Sequence, residues 1–558
     1  MGHLFDGRSR LAASALGLDR YEGVPAHGVL EHTASVLPNR EAICYGDDHL
    51  SFAALDHDAK RCAAMLQRLG VKQGDRVGIL LPNVPEYVIA VNGIWRAGGT
   101  VVAINPMMVP KEADRLLKMT DCRLVVCLDL LSHLVTSANT NAQMLLVSIR
   151  QHLPALQQLG YLWKRHSQTG YWTLPTSDQC RWFWNEIGRT TGDCEPVSID
   201  PVHDAAYILP TGGTTGTPKA VVLSHQNMVA NAWQQFEWTH RSFGVEKMLA
   251  VMPFFHSYGM SATVMGGAMM GATLILHHRF NVAQVIRLIT QHRPTVFHAV
   301  PAMLVAMNER LRSYPADLRS IRWVISGGAP LPASVGSEFA AHSGALVVEG
   351  FGLSEASPVT HVGDLFGEPK YGTIGLPLPE TRCRIVDTHD GIRDVIPGTV
   401  GELIIKGPQV MLGYWNDEVG TAQAVRGGWL YTGDLATLEP DGCYRIVGRK
   451  KDLIITSGFN VYPSEVESVL REHPDVLDAA IVGQPDSQRG EIVKAFVVLR
   501  AGAVWDEANL HKHCLLNLSK YKCPRVFEQC VGDLPRNFLG KVIHRELRDR
   551  DSTSIRAA

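Results

Sequence analysis

The sequence predicts an α/β protein of more than one lobe, on three observations. Short apolar runs rich in β-branched residues alternate with longer stretches of helical spacing through most of the chain. From about residue 380 this gives way to short strands joined by Gly, Pro and Asp turns. Beyond "GRKKDLI" (448–454) helix and strand patterns mix in a unit of about 100 residues, within the normal domain range.

Taken in order, "RVGILL" (76–81), "CRLVVCL" (122–128), "TLILHH" (273–278), "IRWVISGG" (321–328) and "ALVVEGFG" (345–352) read as buried strands. "EYVIAVNGIWRAG" (86–98) and "VIRLITQHR" (285–293) carry helical spacing, so α/β layers around largely parallel sheets are expected. "RCRIVD", "GELIIKG", "GWLYTGDLA" and "GCYRIVGR" form the β-rich stretch. In the last unit "SEVESVLREH" and "DEANLHKHCLLNL" are helical, and "VLDAAIVG" and "EIVKAFVVL" are strands. The expected division is an N-terminal lobe over 1–447 with a β-rich subdomain over about 380–447, a junction at 448–452 and a C-terminal unit over 453–558. Residues 130–200 are harder to place; the segment 160–187 holds four of the eleven tryptophans.

Composition excludes several classes. At 558 residues and net charge −2, the chain gives no global electrostatic support for nucleic-acid binding. Its eleven cysteines form no CxxC pair, and "HKHC" (511–514) sits in a helix-like run with leucines, which reads as packing rather than a metal site. No run of about 18 apolar residues occurs, "ATVMGGAMMGATLIL" (262–276) being short and glycine-rich. A cytoplasmic chain is expected, with membrane contact limited to the periphery.

The densest small-residue stretch is "ILPTGGTTGTPKAVVLSH" (208–225). Read as strand, glycine-rich loop and helix, it is a ready anion site, because glycines let backbone N–H groups converge and a helix N-terminus adds its positive end. Thr211, Thr214, Thr215 and Thr217 offer hydroxyls and Lys219 a point charge. Lys219 follows Pro218 and no Ser or Thr follows it, so a P-loop is disfavoured.

"PTGGTTGTPK" resembles the phosphate-binding signature of the adenylate-forming superfamily, which includes acyl- and aryl-CoA synthetases, firefly luciferase and adenylation domains. "PFFHSYGM" (253–260), "SGGAPLP" (326–332), "EGFGLSE" (349–355), "YTGDLA" (431–436), "GRKKDLI", "SGFNVYPSEVE" (457–467) and "PRNFLGK" (535–541) resemble its successive motifs in order over nearly the whole chain. The spellings "TGGTTG" and "SGFNVYP" are similar to the long- and medium-chain fatty acyl-CoA ligase branch. The resemblance implies a luciferase-like fold, with two parallel-type sheets plus a small β subdomain and a mobile α+β C-terminal domain. It also implies a two-step reaction in which a carboxylate attacks the α-phosphorus of ATP, and the thiol of coenzyme A then displaces AMP from the acyl-AMP.

On that resemblance, Thr211, Gly212, Gly213, Thr214, Thr215, Gly216 and Lys219 cradle phosphates. Glu355, with Thr214, holds Mg²⁺, a hard ion suited to oxygen ligands. Ser354 keeps the hydroxyl of the family's usual threonine, and Gly328, Glu349, Gly350 and Phe351 match the adenine region, the ring stacking on the base. Asp434 and Arg449 match the ribose site, although a lone Asp in a turn is ordinarily a turn residue. Lys541 neutralises charge at the reacting carboxylate and α-phosphate; read blandly, it is a surface lysine at a helix start. Lys451 matches the hinge, and Ser457 and Gly458 line the pantetheine passage after domain rotation. His256 and Tyr258 fall where the family gates its acyl pocket, or equally in the core beside two Phe.

Glycine, alanine and methionine around 262–276 and 327–329 suit an unbranched alkyl tail, and no Asp or Arg there greets an amino acid. A medium- or long-chain fatty acid is the expected substrate. The rivals are an acyl-AMP ligase loading a carrier protein, an aryl-CoA ligase, disfavoured by Ile455 where a lysine often stands, and a catalytically silent nucleotide-binding protein. The aromatics of 160–187, interleaved with Lys164, Arg165 and Arg181, are either an interfacial patch or ordinary packing.

Overall fold

The computed structural model describes residues 17–138, 142–153, 155–211, 219–457, 459–486, 488–537 and 540–548. The expected α/β architecture is present as two large sheets, a β-rich subdomain and a separate C-terminal α+β domain.

In the first sheet, Arg76–Leu80, Thr100–Ala103, Leu124–Leu128, Gln143–Val147, Cys180–Trp182 and Ala205–Thr211 run parallel. In the second, Glu41–Tyr45, Thr273–Leu276, Lys247–Ala250, Val296–Ala299, Trp323–Ser326 and Leu346–Gly352 run parallel, flanked by antiparallel edge strands. Strands covered on both faces read as unbroken apolar runs, which is why 76–81 and 122–128 were legible. The helix Pro85–Arg96 is buried on nearly every side. Just before it, the Asn83 side-chain amide donates to the carbonyls of Ala250 (3.1 Å) and Met252 (2.7 Å), tying the two sheets together.

The β-rich subdomain is antiparallel, with Trp429–Leu438 between Gly401–Lys406 and Tyr444–Arg449. The C-terminal domain packs the helices Pro463–Arg471 and Glu507–Asn517 on the strands Val476–Asp486 and Gly490–Leu499, over a core of its own that includes Val466, Leu470, Ile481 and Val493.

Two regions differ from expectation. The glycine-rich stretch does not lead from strand to helix: Lys219–Ser224 is a second strand, antiparallel to Ala205–Thr211, and the helix starts only at His225. Val221, Val222 and Leu223 pair with Leu209, Ile208 and Tyr207 respectively, so the apolar run after the loop extends the sheet. The segment 160–187 divides. Tyr161 and Phe183 are buried, while Trp163 and Trp172 are 68% and 55% exposed. Buried Arg165 explains the packed half: it pairs with buried Asp129 at 2.8 Å, and the Tyr161 hydroxyl donates to the same carboxylate. Among the described residues no helix is long and apolar enough to cross a membrane.

Candidate active site

A cavity of about 430 Å³ is lined by both large sheets and the β-rich subdomain. Its inner part is apolar. Met248, Val296 and Trp323 stand in one row across three parallel strands, and His298 and Ile325 form a row two residues on. Side chains two apart share a sheet face, so these rows floor a channel that opens at Gly327 and Gly328, four residues or about 13 Å from the Trp323 row. Gln235 and Trp238 of the helix His225–Trp238, with Met270, Val362 and Leu365, complete the walls.

Gly327 keeps the throat open, since a Cβ there would stand 3.1 Å from the Tyr258 ring. Tyr258 is pinned, its hydroxyl donating to the Ile325 carbonyl at 2.8 Å. His256 Nδ1 accepts the Tyr258 backbone N–H at 3.2 Å, which leaves the ring proton on Nε2. Burial lowers the pKa of both His256 and His298 to about 4, so the channel floor is uncharged at neutral pH.

The outer part is polar. Tyr414 donates to Glu355 Oε1 at 2.9 Å, and its ring lies 4.3 Å from the Lys219 ammonium. Lys219 also faces Asp417 at 3.6 Å, and Ser257 and Ser354 hydroxyls meet at 3.2 Å. Asp434 and Arg449 are cross-strand partners in the β-rich subdomain, with Arg449 Nε 2.7 Å from Asp434 Oδ1. The other oxygen, Asp434 Oδ2, is buried without a hydrogen-bond partner. An orphaned buried acceptor is costly, so this atom is poised for a donor such as a sugar hydroxyl. Burial raises the Asp434 pKa against the pull of Arg449 and Lys541.

Lys541, on the C-terminal domain, does not line the cavity but stands near enough to Arg449 and Asp434 to feel their charges. Its pKa is lowered, first by removal from water and then by Arg449, while Asp434 opposes the shift. The lysine follows Gly540, whose φ is +81° and whose Cβ, if present, would lie 3.1 Å from Ala302 Cβ at the start of the helix Pro301–Ser313. Only a glycine fits there comfortably, on both counts.

Of the residues expected from sequence, Thr211, Lys219, His256, Gly328, Gly350, Phe351, Ser354, Glu355 and Arg449 line the one cavity, with Asp434 bonded to Arg449. Gly212, Gly213, Thr214, Thr215, Gly216 and Gly458 lie outside the described residues. Glu349 does not line the cavity: its two carboxylate oxygens accept the backbone N–H groups of Leu331 (3.2 Å) and Gly372 (2.9 Å). It braces the strand rather than facing a base, and burial raises its pKa to about 7. Ser457 and Lys451 are also off the cavity wall. Ser457 adopts φ +51° and its N–H donates to the Arg489 carbonyl at 2.8 Å. Sequence reasoning missed Tyr414, Trp238, Met248 and Trp323, because apolar or aromatic residues inside core runs carry no mark of facing a channel.

Residues 30–415 match the AMP-binding enzyme family and residues 465–541 match the AMP-binding enzyme C-terminal domain. A long-chain-fatty-acid–CoA ligase of Bacillus subtilis is 37% identical over 529 residues, covering 94% of each chain. The structure of ATP-bound MatB from Rhodopseudomonas palustris superposes with a TM-score of 0.82 at 27% identity, over 94% of this chain and 99% of that one. A Mycobacterium tuberculosis fatty acyl CoA synthetase gives 0.73 at 26% identity, over 96% of this chain and all of its own. With more than half its length matched and a relative above 30% identity along nearly its full extent, this chain belongs to the AMP-binding enzyme family.

Proposed function

We propose that this protein activates a medium- or long-chain fatty acid with ATP and transfers the acyl group to coenzyme A. One observation carries the reading: a single cavity joins a polar end, with Lys219, Glu355 and Arg449 (the last paired to Asp434, whose Oδ2 has no partner), to an apolar channel floored by Met248, Val296 and Trp323. A carboxylate at the throat by Gly327 has its tail in the channel and its head among the polar groups. Attack of a carboxylate oxygen on the α-phosphorus breaks the bond to pyrophosphate, and Lys541 and Lys219 offset the charge that gathers there. Asp434 accepts a ribose hydroxyl at Oδ2, and Arg449 holds its other oxygen. Glu355 and Ser354 are hard oxygen donors that fit Mg²⁺, which when bound would neutralise phosphate charge.

The second step brings the coenzyme A thiol to the acyl carbonyl with AMP as leaving group. We assign the pivot between steps to Lys451, in the junction 448–452 that separates the lobes 1–447 and 453–558. Lys450 is tied back to Glu402 of the β-rich subdomain at 2.7 Å, and Asp452 forward to Arg548 of the C-terminal domain at 2.6 Å. Lys451 thus lies between an anchor to each lobe. Rotation there would withdraw Lys541 and present Ser457 and Gly458.

Supply of the acid from a bilayer surface is the remaining part of the proposal. The helix Ala155–Thr169 turns Leu156, Leu159 and Trp163, one helical stripe, 84%, 66% and 68% exposed to solvent. Replacing Leu159 and Trp163 with Ala should reduce partitioning onto liposomes; unchanged partitioning removes this part alone. The central test is pyrophosphate release with C4–C18 and aryl acids, with and without coenzyme A. Preference for medium- or long-chain fatty acids over aryl acids and thioester formation are expected. Acyl-AMP that never becomes thioester would favour a carrier-protein acceptor, and preference for aryl acids would overturn the reading.

A further inference from the structure

We propose a second metal site, remote from the cavity, in which Cys44, His49, Glu41 and His292 hold one zinc-type divalent cation. None of the four lines the cavity. They converge through three separate features of the backbone. Cys44 and His49 are direct cross-strand partners in the hairpin formed by Glu41–Tyr45 and Asp48–Ser51, so their side chains share a face. Glu41 and Cys44, three apart, would point to opposite faces of a regular strand. The register shifts between Glu41 and Ile43, and an extra residue of this kind returns Glu41 to the Cys44 face. The fourth group, His292, is the last residue of the helix Val282–His292, which Arg293 ends in the left-handed conformation (φ 52°).

Three of the ligand atoms cluster together, and His292 adjoins the cluster through Cys44. The ligand atoms of Glu41, Cys44 and His49 all lie within 4.8 Å of one another, and the Glu41 carboxylate touches His49 Nδ1. Cys44 Sγ is 3.4 Å from His292 Nδ1. Zinc bonds of about 2.3 Å to sulfur and about 2.0 Å to nitrogen at a tetrahedral angle place those atoms about 3.5 Å apart. A thiolate, two imidazoles and a carboxylate make a donor set that suits zinc over magnesium or calcium. Cys44 is buried, while His49 and Glu41 side chains are 56% and 34% exposed, so one side of the site opens to solvent. Lys247 also faces Cys44 and His292 and is the charge that a bound cation must outweigh. An ion here would clamp the edge hairpin of the second sheet to the end of a helix, a structural role at the sheet margin.

The test titrates the full-length, chelator-treated protein with Co²⁺ in the absence of nucleotide. The expected result is one equivalent bound, with a thiolate-to-cobalt charge-transfer band and the intense visible absorption of a tetrahedral ion, both bleached by Zn²⁺. Cys44→Ser should abolish the charge-transfer band, and His49→Ala, on the exposed edge strand, should weaken Co²⁺ binding by about tenfold or more. Absence of the band in the unaltered protein, or a band that survives Cys44→Ser, overturns the proposal. Should Cys44→Ser fail to fold, His49→Ala and Glu41→Gln decide it: affinity unchanged in both means an ordinary hydrogen-bonded cluster.

Discussion

The acyl end of the cavity and its lysine end are held in place by very different means. Met248, Val296 and Trp323 belong to adjacent, hydrogen-bonded parallel strands inside the main sheet, so the channel floor cannot move without breaking the fold. Lys541 comes from a domain with its own core and stands on a turn that meets the N-terminal lobe where Gly540 approaches Ala302. A rigid floor suits selection of a substrate shape. A lightly held cation suits a group needed for one step and in the way of the next. The difference predicts that changes at the two ends will have different signatures.

The largest effect should come from Lys541→Ala. Loss of one preorganised charge-stabilising group typically costs about 3–4 kcal/mol, or two to three orders of magnitude in rate. Pyrophosphate exchange should fall by that factor, while thioester formation from supplied acyl-AMP stays near normal. Equal loss in both assays would mean that the lysine serves the whole cycle, and the contrast between the two ends would fail.

The N-terminal lobe should break as a unit when acidified. His225, His298 and His361 are buried and His27 and His256 partly buried, and all five have pKa values lowered to about 3–4, removal from water being the main cause in each. An unfolded histidine titrates near 6.5 and binds a proton that the folded one refuses, so this stability is present above about pH 6.5 and is lost as pH falls toward 4. Each ring should cost about 1–2 kcal/mol by pH 5. Glu349, with its pKa raised to about 7, acts in the opposite direction, as do Asp434 and Asp58, whose pKa values burial also raises. Ten of the eleven tryptophans precede residue 450, so urea unfolding followed by indole fluorescence reports on this lobe. A midpoint unchanged between pH 7 and pH 5 would show that the lobe opens to admit protons without unfolding.

Much of the rigid region was legible from sequence, because doubly covered strands spell themselves as apolar runs such as "RVGILL" and "IRWVISGG". At the polar end it was the family resemblance, not the residue pattern alone, that singled out Lys219, Glu355, Asp434, Arg449 and Lys541; the first two and Arg449 share one cavity, with Asp434 paired to Arg449. The channel was not. Trp323 and Val296 look like any other core residue, and only the register of neighbouring strands shows that they share a row. Glu349 was assigned by the same motif resemblance as Gly350 and Phe351, yet it does not line the cavity, because its carboxylate is taken up by the Leu331 and Gly372 amides, and no sequence pattern announces those partners. The second strand of the glycine-rich hairpin was likewise hidden, since four apolar residues after a loop can open a helix as well as a strand.

The smallest expected effect, and the most discriminating, is at Gly540. An alanine there must adopt φ +81° and place its Cβ 3.1 Å from Ala302. The left-handed conformation costs an ordinary residue about 1–2 kcal/mol, so the pose that delivers Lys541 should become about tenfold less populated. Adenylation should fall by the same factor, and thioester formation from supplied acyl-AMP should be unchanged, since in the proposed cycle that step does not use the lysine. Backbone strain and steric contact can then be separated with Ala302→Gly, which removes the facing methyl but leaves the dihedral cost. Partial recovery of adenylation in the double variant, by more than the effect of Ala302→Gly alone, would give a coupling energy between the lobes in the adenylating pose. Strict additivity would mean that the turn and the helix do not touch during catalysis, and that the lysine end is held even more loosely than its one close approach suggests.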